Sequence, residues 1–237
     1  MATWLHDDQE AELSMKALRQ GSVSIALFAA AQSRAGPSRP VSGVRQLRGS
    51  GQNGSVSGDE DADRPVLRIA GPNDAVALMK LKQRLDEETS LMLLEPAERD
   101  TSIQALARHL EEVSQSENSV VIVADRHDDL AGYVELAGGK FRRSRSTTHV
   151  VIGVLAEVSG KGVGTRLLEE AKRWAAARGL HRIELNVMAR NHRAIALYER
   201  VGFVREGRRV DCLLIDGKFL DELCMAMILP GSLSPWP

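Results

Sequence analysis

A chain of 237 residues is long enough for one domain with a substantial core plus an appendage. With 31 basic and 32 acidic residues the formal net charge is −1, so no general field favours nucleic acid, and aromatic residues at 4% leave little surface for stacking bases. No apolar run approaches the ~18 residues of a membrane span, and two cysteines, Cys212 and Cys224, form neither a disulfide framework nor a metal-ligand set. They read as small apolar core residues in a protein of the reducing cytoplasm.

In chain order, the first apolar stretch is Val23 to Ala31. Its length suits a secretory signal, but Asp7, Asp8, Glu10 and Glu12 stand where a signal is basic. A short helix, or non-essential residues added by an upstream start codon, fits better. Residues 32–64 are rich in Ser, Gly, Arg, Pro and acidic side chains without apolar periodicity. Such a composition does not offset the entropy of ordering, so residues 1–64 are expected to be a flexible extension. The functional alternative is a regulatory arm. The domain is expected over 65–230, followed by a tail at 231–237. It opens with a strand at Val66–Ala70. Pro72 to Asp74 starts a helix with Val76, Met79, Leu81 and Leu85 on one stripe. A second helix covers about Ser102 to Ser114. Strands follow at 119–124, 130–136 and 147–156. A helix over 162–179 carries Val163, Leu167, Leu168, Ala171, Trp174 and Ala175 at helical spacing. Then come a strand at 183–187, a short helix over 191–203 closed by Gly202, and a hairpin over 216–229. This order predicts an α/β fold, a mixed sheet with helices on both faces.

The most informative segment is Ser159 to Leu168, where a strand turns through glycines into a helix. Glycines let main-chain N–H groups converge without side chains in the way, and a helix N-terminus adds unpaired donors. The combination suits a diphosphate. A P-loop would need glycine five residues before Gly160 and Ser or Thr after Lys161; Leu155 and Gly162 stand there. A dinucleotide fingerprint fails at Thr165 or Leu167, although Glu184 lies near the spacing of a ribose-binding acid. The loop resembles the acetyl-CoA loop of the GNAT superfamily of N-acetyltransferases, [Q/R]-x-x-G-x-G-x-[G/A]. Gly162 and Gly164 match; Ser159 and Arg166 depart from it at the two ends. The later segment Asn191 to Phe203 resembles the superfamily's N-x-x-A-x-x-x-Y-x-x-x-G-F at Asn191, Ala194, Tyr198, Gly202 and Phe203. The resemblance covers about Leu67 to Leu229, and its finer features are most similar to bacterial enzymes that acetylate free amino acids or related small molecules.

That resemblance implies a mostly antiparallel sheet splayed at its centre, with acetyl-CoA as cosubstrate and no metal. Main-chain groups of Val154, Leu155 and Ala156 are then expected to pair with the pantetheine arm. Ser159, Gly160, Lys161, Gly162, Val163, Gly164 and Thr165 would surround the diphosphate, and Asn191, Ala194 and Tyr198 would edge the same ligand from one helix stripe. Tyr198 is the candidate acid, because a phenol of pKa ~10 holds its proton at neutral pH and can give it to a thiolate. The base is open. Some relatives use a Glu near position 148, which is Thr148 here; His149 beside it and Glu135 on the preceding strand are the candidates. Glu87 and Glu88, in the Asp86–Thr89 stretch, are candidate acceptor contacts, with a solvated helix end as the alternative. The Arg142–Arg145 tip either attracts an acidic group or is a solvated hairpin. The expected partner is a small amine rather than nucleic acid or a membrane, and a homodimer is compatible. A peptide-acetylating enzyme and a non-catalytic CoA sensor are the competing functions.

Overall fold

A computed structural model describes residues 64–126 and 129–231. The expected extension over 1–64 falls almost wholly outside them, as do the Val23–Ala31 segment and most of the C-terminal tail. The elements are β1 (Val66–Ile69), α1 (Ala75–Glu88), α2 (Ile103–Ser114), β2 (Val120–Arg126), β3 (Asp129–Gly138), β4 (Thr147–Val154), α3 (Val163–Ala177), β5 (Arg182–Met188), α4 (His192–Val201), β6 (Val204–Ile215) and β7 (Lys218–Ile228). Short 3-10 turns stand before α1 and after β4. This is the order that periodicity and punctuation predict.

Local chemistry fixes the ends of the helices. Ser102 accepts a hydrogen bond from the Ala105 N–H and opens α2. Asn191 does the same for Ala194 in α4, and Gly202 closes α4 at φ 114°, a left-handed conformation. Asp74 accepts from the Gly71 N–H ahead of α1 and is gripped by the Arg68 guanidinium, which also reaches Asp125 on β2.

The seven strands form one sheet in the order β1–β2–β3–β4–β5–β7–β6. Every pairing is antiparallel except β4 with β5. That parallel pairing is short: Thr147, Thr148 and His149 stand opposite Arg182, Ile183 and Glu184, and there it stops. Val150 to Val154 keep β3 as a neighbour on one side only. The sheet therefore opens into a wedge between the carboxyl ends of β4 and β5.

Alternation along the strands assigns the two faces. Tyr133 and Glu135 of β3 pair with Gly153 and Val151 of β4 and look toward α1 and α2, where Lys82 and His109 meet Glu135. Gly132 looks to the other face, where a Cβ would meet Leu167 of α3 at 3.3 Å. Helix α4 packs on α3: the Lys172 ammonium donates to the Val201 carbonyl, and Leu197 lies against Gly164. Leu78, Leu110, Val123, Val134, Leu136 and Leu167 are fully buried between these layers.

Two expectations change. Cys212 and Cys224 are half-buried rather than core, because β6 and β7 reach past the helices and leave most of β6 exposed. Asp86 is no part of a solvated helix end: it is buried inside α1, and Arg99 holds both its oxygens at 2.6 and 2.8 Å.

Candidate active site at the wedge between two parallel strands

The glycine loop forms one border of the wedge. Gly160 and Gly162 adopt φ of 87° and 80°, the left-handed region that glycine occupies without strain. A Cβ on Gly162 would meet nothing within 4 Å, so this residue faces open space in front of α3. The loop's amides divide in use. Ser159 and Lys161 give their N–H groups to the carbonyls of Ala156 and Val158, which closes the turn. Among the described residues, the N–H groups of Gly160 and Gly162 have no such acceptor. Those of Val163, Gly164 and Thr165 begin the helix, where no carbonyl of the same helix precedes them. Arg193 of α4 comes close: its guanidinium lies 3.4 Å from the position of a Cβ on Gly160. A diphosphate at this loop would meet converging amides, the positive end of α3 and a cation from α4. Sequence reasoning missed Arg193, which fills an unlettered place in the α4 motif.

Gly164 plays another part. A Cβ there would stand 3.1 Å from Cδ2 of Leu197 and 3.8 Å from Cγ2 of Val154. Its lack of a side chain lets α4 and the end of β4 approach α3.

The end of β4 divides in the same way. The Leu155 N–H donates to the Ala131 carbonyl of β3. Successive strand residues direct their backbone groups to opposite sides, so those of Val154 point away from β3 and into the wedge. The Ala156 N–H is engaged by Oε2 of Glu88 at 3.0 Å. Of the three main-chain partners expected for a pantetheine arm, Val154 is oriented for the role, while the N–H groups of Leu155 and Ala156 are committed elsewhere.

Tyr198 lies on the buried side of α4, edge-on to Phe203 at 5.8 Å. Burial pushes its phenol well above the usual tyrosine value, and the Tyr133 phenol adds to the shift. It therefore keeps its proton. Asn191 spends its side-chain oxygen on the α4 cap, and the Ala194 N–H receives that cap.

The two candidate bases have different surroundings. His149 is the last β4 residue paired with β5, at the apex of the wedge. Burial lowers its pKa, with Glu184 and Glu222 pulling the other way, so the imidazole is neutral at pH 7. Glu135 faces α1 and α2. Its oxygens take the Lys82 ammonium at 3.2 Å and Nε2 of His109 at 2.8 Å. Burial opposes its charge, yet Lys82 and His109 hold the carboxyl far below the usual range. A carboxylate gripped in this way is a poor acceptor for an ammonium proton. Glu87 is exposed at the end of α1. Glu88 is shared between the Ala156 amide and Arg84, whose guanidinium also meets Asp129 and Glu157. The Arg142–Arg145 tip lies on the β3–β4 hairpin, where Arg145 pairs with Glu117.

Among the described residues no group of three His, Cys, Asp or Glu side chains is placed to hold a metal, and no helix is long and apolar enough to cross a membrane.

Comparison with known proteins agrees with this geometry. A 101-residue stretch is 33% identical to a spermidine N(1)-acetyltransferase of Vibrio cholerae, covering 42% of this chain and 57% of that protein. A 72-residue stretch is 39% identical to the [ribosomal protein uS5]-alanine N-acetyltransferase of Escherichia coli, covering 30% of this chain and 37% of that one. The chain thus spans about half the length, or less, of these curated relatives. The crystal structure of a GNAT-family acetyltransferase from Streptococcus pneumoniae superposes with a TM-score of 0.67 at 30% identity, over 69% of this chain and 98% of the other. The profile of the acetyltransferase (GNAT) family matches residues 82–203, which contain the wedge, the glycine loop and Tyr198, and the chain belongs to that family.

Proposed function

We propose that this protein is an acetyl-CoA-dependent N-acetyltransferase that acts on the primary amine of a small molecule. The observation that carries the reading is the wedge itself. Support comes from three features: the Val154 backbone has no strand partner on the β5 side, a loop suited to a diphosphate follows it, and the later α4 motif carries a buried phenol that keeps its proton.

Bound acetyl-CoA would supply the acetyl group and a thiolate leaving group. The loop from Gly160 to Thr165, with Arg193, would hold the diphosphate and leave the pantetheine arm to run along Val154. The Val154 backbone extends the sheet toward the arm and fixes the thioester beside the apex of the wedge. His149 takes the proton of the incoming ammonium, directly or through one water. The freed nitrogen attacks the thioester carbon and the carbon–sulfur bond breaks; Tyr198 gives its phenol proton to the departing sulfur, and the surplus proton of the nitrogen leaves through solvent and restores the phenol. An alkylammonium of pKa ~10 is only about 0.1 per cent neutral at pH 7, so the attacking nitrogen needs a positioned proton acceptor, which a neutral imidazole at the apex supplies.

One relative is named for spermidine and another for an alanine of a ribosomal protein, so both small-amine and protein acceptors occur among similar chains. The small-amine reading is favoured by the closure of the α1 side of the wedge, where Glu88 and Ser90 are tied to residues following β4 and β5. The reading assigns the reaction to the cytoplasm, where acetyl-CoA is made. Release of CoA thiol, measured across amino acids, polyamines, aminoglycosides and peptide amines, tests it. Turnover is expected with a small primary amine. Turnover with peptides alone would overturn the acceptor assignment, and acetyl-CoA binding without turnover of any amine would point to a sensor module.

A further inference from the structure

Residues 88–90 make two attachments on opposite borders of the wedge. Glu88, the last residue of α1, receives the Ala156 N–H at 3.0 Å, just beyond β4. Ser90, two residues later, receives the Arg190 guanidinium through its carbonyl at 3.2 Å and its hydroxyl at 3.1 Å, just beyond β5. Strands β4 and β5 are the two that part. A segment of three residues thus bridges their carboxyl ends, the place where open α/β sheets receive ligands. Thr89 supports the bridge by accepting from the Leu91 N–H at 3.1 Å, which turns the chain away from the opening. Arg84 braces Glu88 from one turn back on α1.

The bridge lies on one face only. Helix α1 covers the face that carries Tyr133, His149 and Gly153, whereas the glycine loop opens α3 on the other. A ligand anchored at the loop enters from the α3 face. The second substrate must then approach His149 from the α1 face, beneath residues 88–90. Arg190 and Ser90 are both exposed, and the tie between them contributes little to folding, as an exposed charged contact does.

We infer that residues 88–90 form a strap that filters the acceptor by size, and that Arg190 is a specificity-determining residue that holds the strap across the wedge. The inference rests on the acetyltransferase reading and adds a limit to it: with the strap tied, a slender amine reaches His149 and a chain of amino acids does not.

The test compares kcat/KM for three acceptors in the full chain and in Arg190→Ala: spermidine, alanine amide and an octapeptide beginning with alanine. The ratio of the octapeptide to the faster small amine is expected to rise about tenfold, a change on the scale of losing one steric contact in a site. Arg190→Lys keeps a cation and one donor, and it should restore much of the parent ratio. A ratio that stays the same in Arg190→Ala, with acetyl-CoA affinity retained by calorimetry, overturns the filter while leaving the acetyltransferase reading in place. An octapeptide that the parent already turns over as fast as the small amines also overturns it. Absence of thiol release with these acceptors and across the wider amine panel overturns both.

Discussion

The Tyr133 ring on β3 lies where a side chain on Gly153 of β4 would be: a Cβ there would stand 3.0 Å from Cε1 of Tyr133. The same Cβ would stand 2.5 Å from Cδ1 of Leu85 on α1. The glycine lets a large ring and a helix residue close over the strand next to Val154. Gly153→Ala must push β4 or α1 aside. It is expected to destabilise the fold by about 1–3 kcal/mol, the usual range for overpacking. Urea unfolding monitored by fluorescence checks this, and an unchanged midpoint would show that Tyr133 and Leu85 move away freely.

The loop glycines separate by mechanism. Gly162→Val forces a branched side chain into the left-handed region and into open space where a ligand would lie, so acetyl-CoA affinity should fall by about tenfold or more, roughly 1.4 kcal/mol. Gly164→Val instead drives a side chain into Leu197, and its main effect should be a lower melting temperature. Calorimetric titration and thermal unfolding of both variants decide the matter. If both lose affinity equally without any loss of stability, the packing role of Gly164 is wrong.

Tyr198→Phe keeps the ring packed against Phe203 and removes the proton donor. Turnover should fall by about 10²–10⁴ with acetyl-CoA affinity nearly constant. His149 adds a pH signature. Its pKa lies below the usual 6.5, so the base form is complete by neutral pH, and kcat/KM should decline only as pH drops through that lowered value. His149→Gln should abolish this limb. Single-turnover rates for Tyr198→Phe that match the parent would reduce Tyr198 to a packing residue, and a limb that survives in His149→Gln would move the base elsewhere.

The Lys82–Glu135–His109 cluster predicts a stability profile with two flanks. The Glu135 pKa is depressed from its usual 4.5, so its contribution is present above that value and is lost as pH falls toward the folded value. The His109 pKa is raised from 6.5, chiefly by its bond to Glu135, so its contribution is full below 6.5 and is lost as pH climbs through the raised value. Stability should be greatest between these limits. Lys82→Met leaves the buried Glu135 carboxylate with His109 as its remaining charged partner and should cost about 3 kcal/mol, whereas Lys82→Met with Glu135→Leu should recover most of the loss. Denaturant titrations at several pH values test both statements, and a single variant as stable as the parent would remove the cluster from the account of stability.

The chain's local chemistry determined the order of the elements and the positions at the two ends of the candidate site. Gly160 and Gly162 take left-handed φ angles, Asn191 and Gly202 bond within one turn, and Tyr198 follows helical spacing, so these placements were legible from nearby residues. Contacts between distant segments decided the rest. Glu135 reads as a free base until β3 is laid against helices that bring Lys82 and His109 from 53 and 26 residues away. Gly164 shows no packing role until Leu197 is placed beside it. Asp86 reads as solvated until Arg99 folds back onto it. The strap joins Ser90 to Arg190 across 100 residues of sequence. A pattern in sequence tells which side chains share a face, but not what the face meets. That depends on strand register and helix packing, which bring together residues with no local relation.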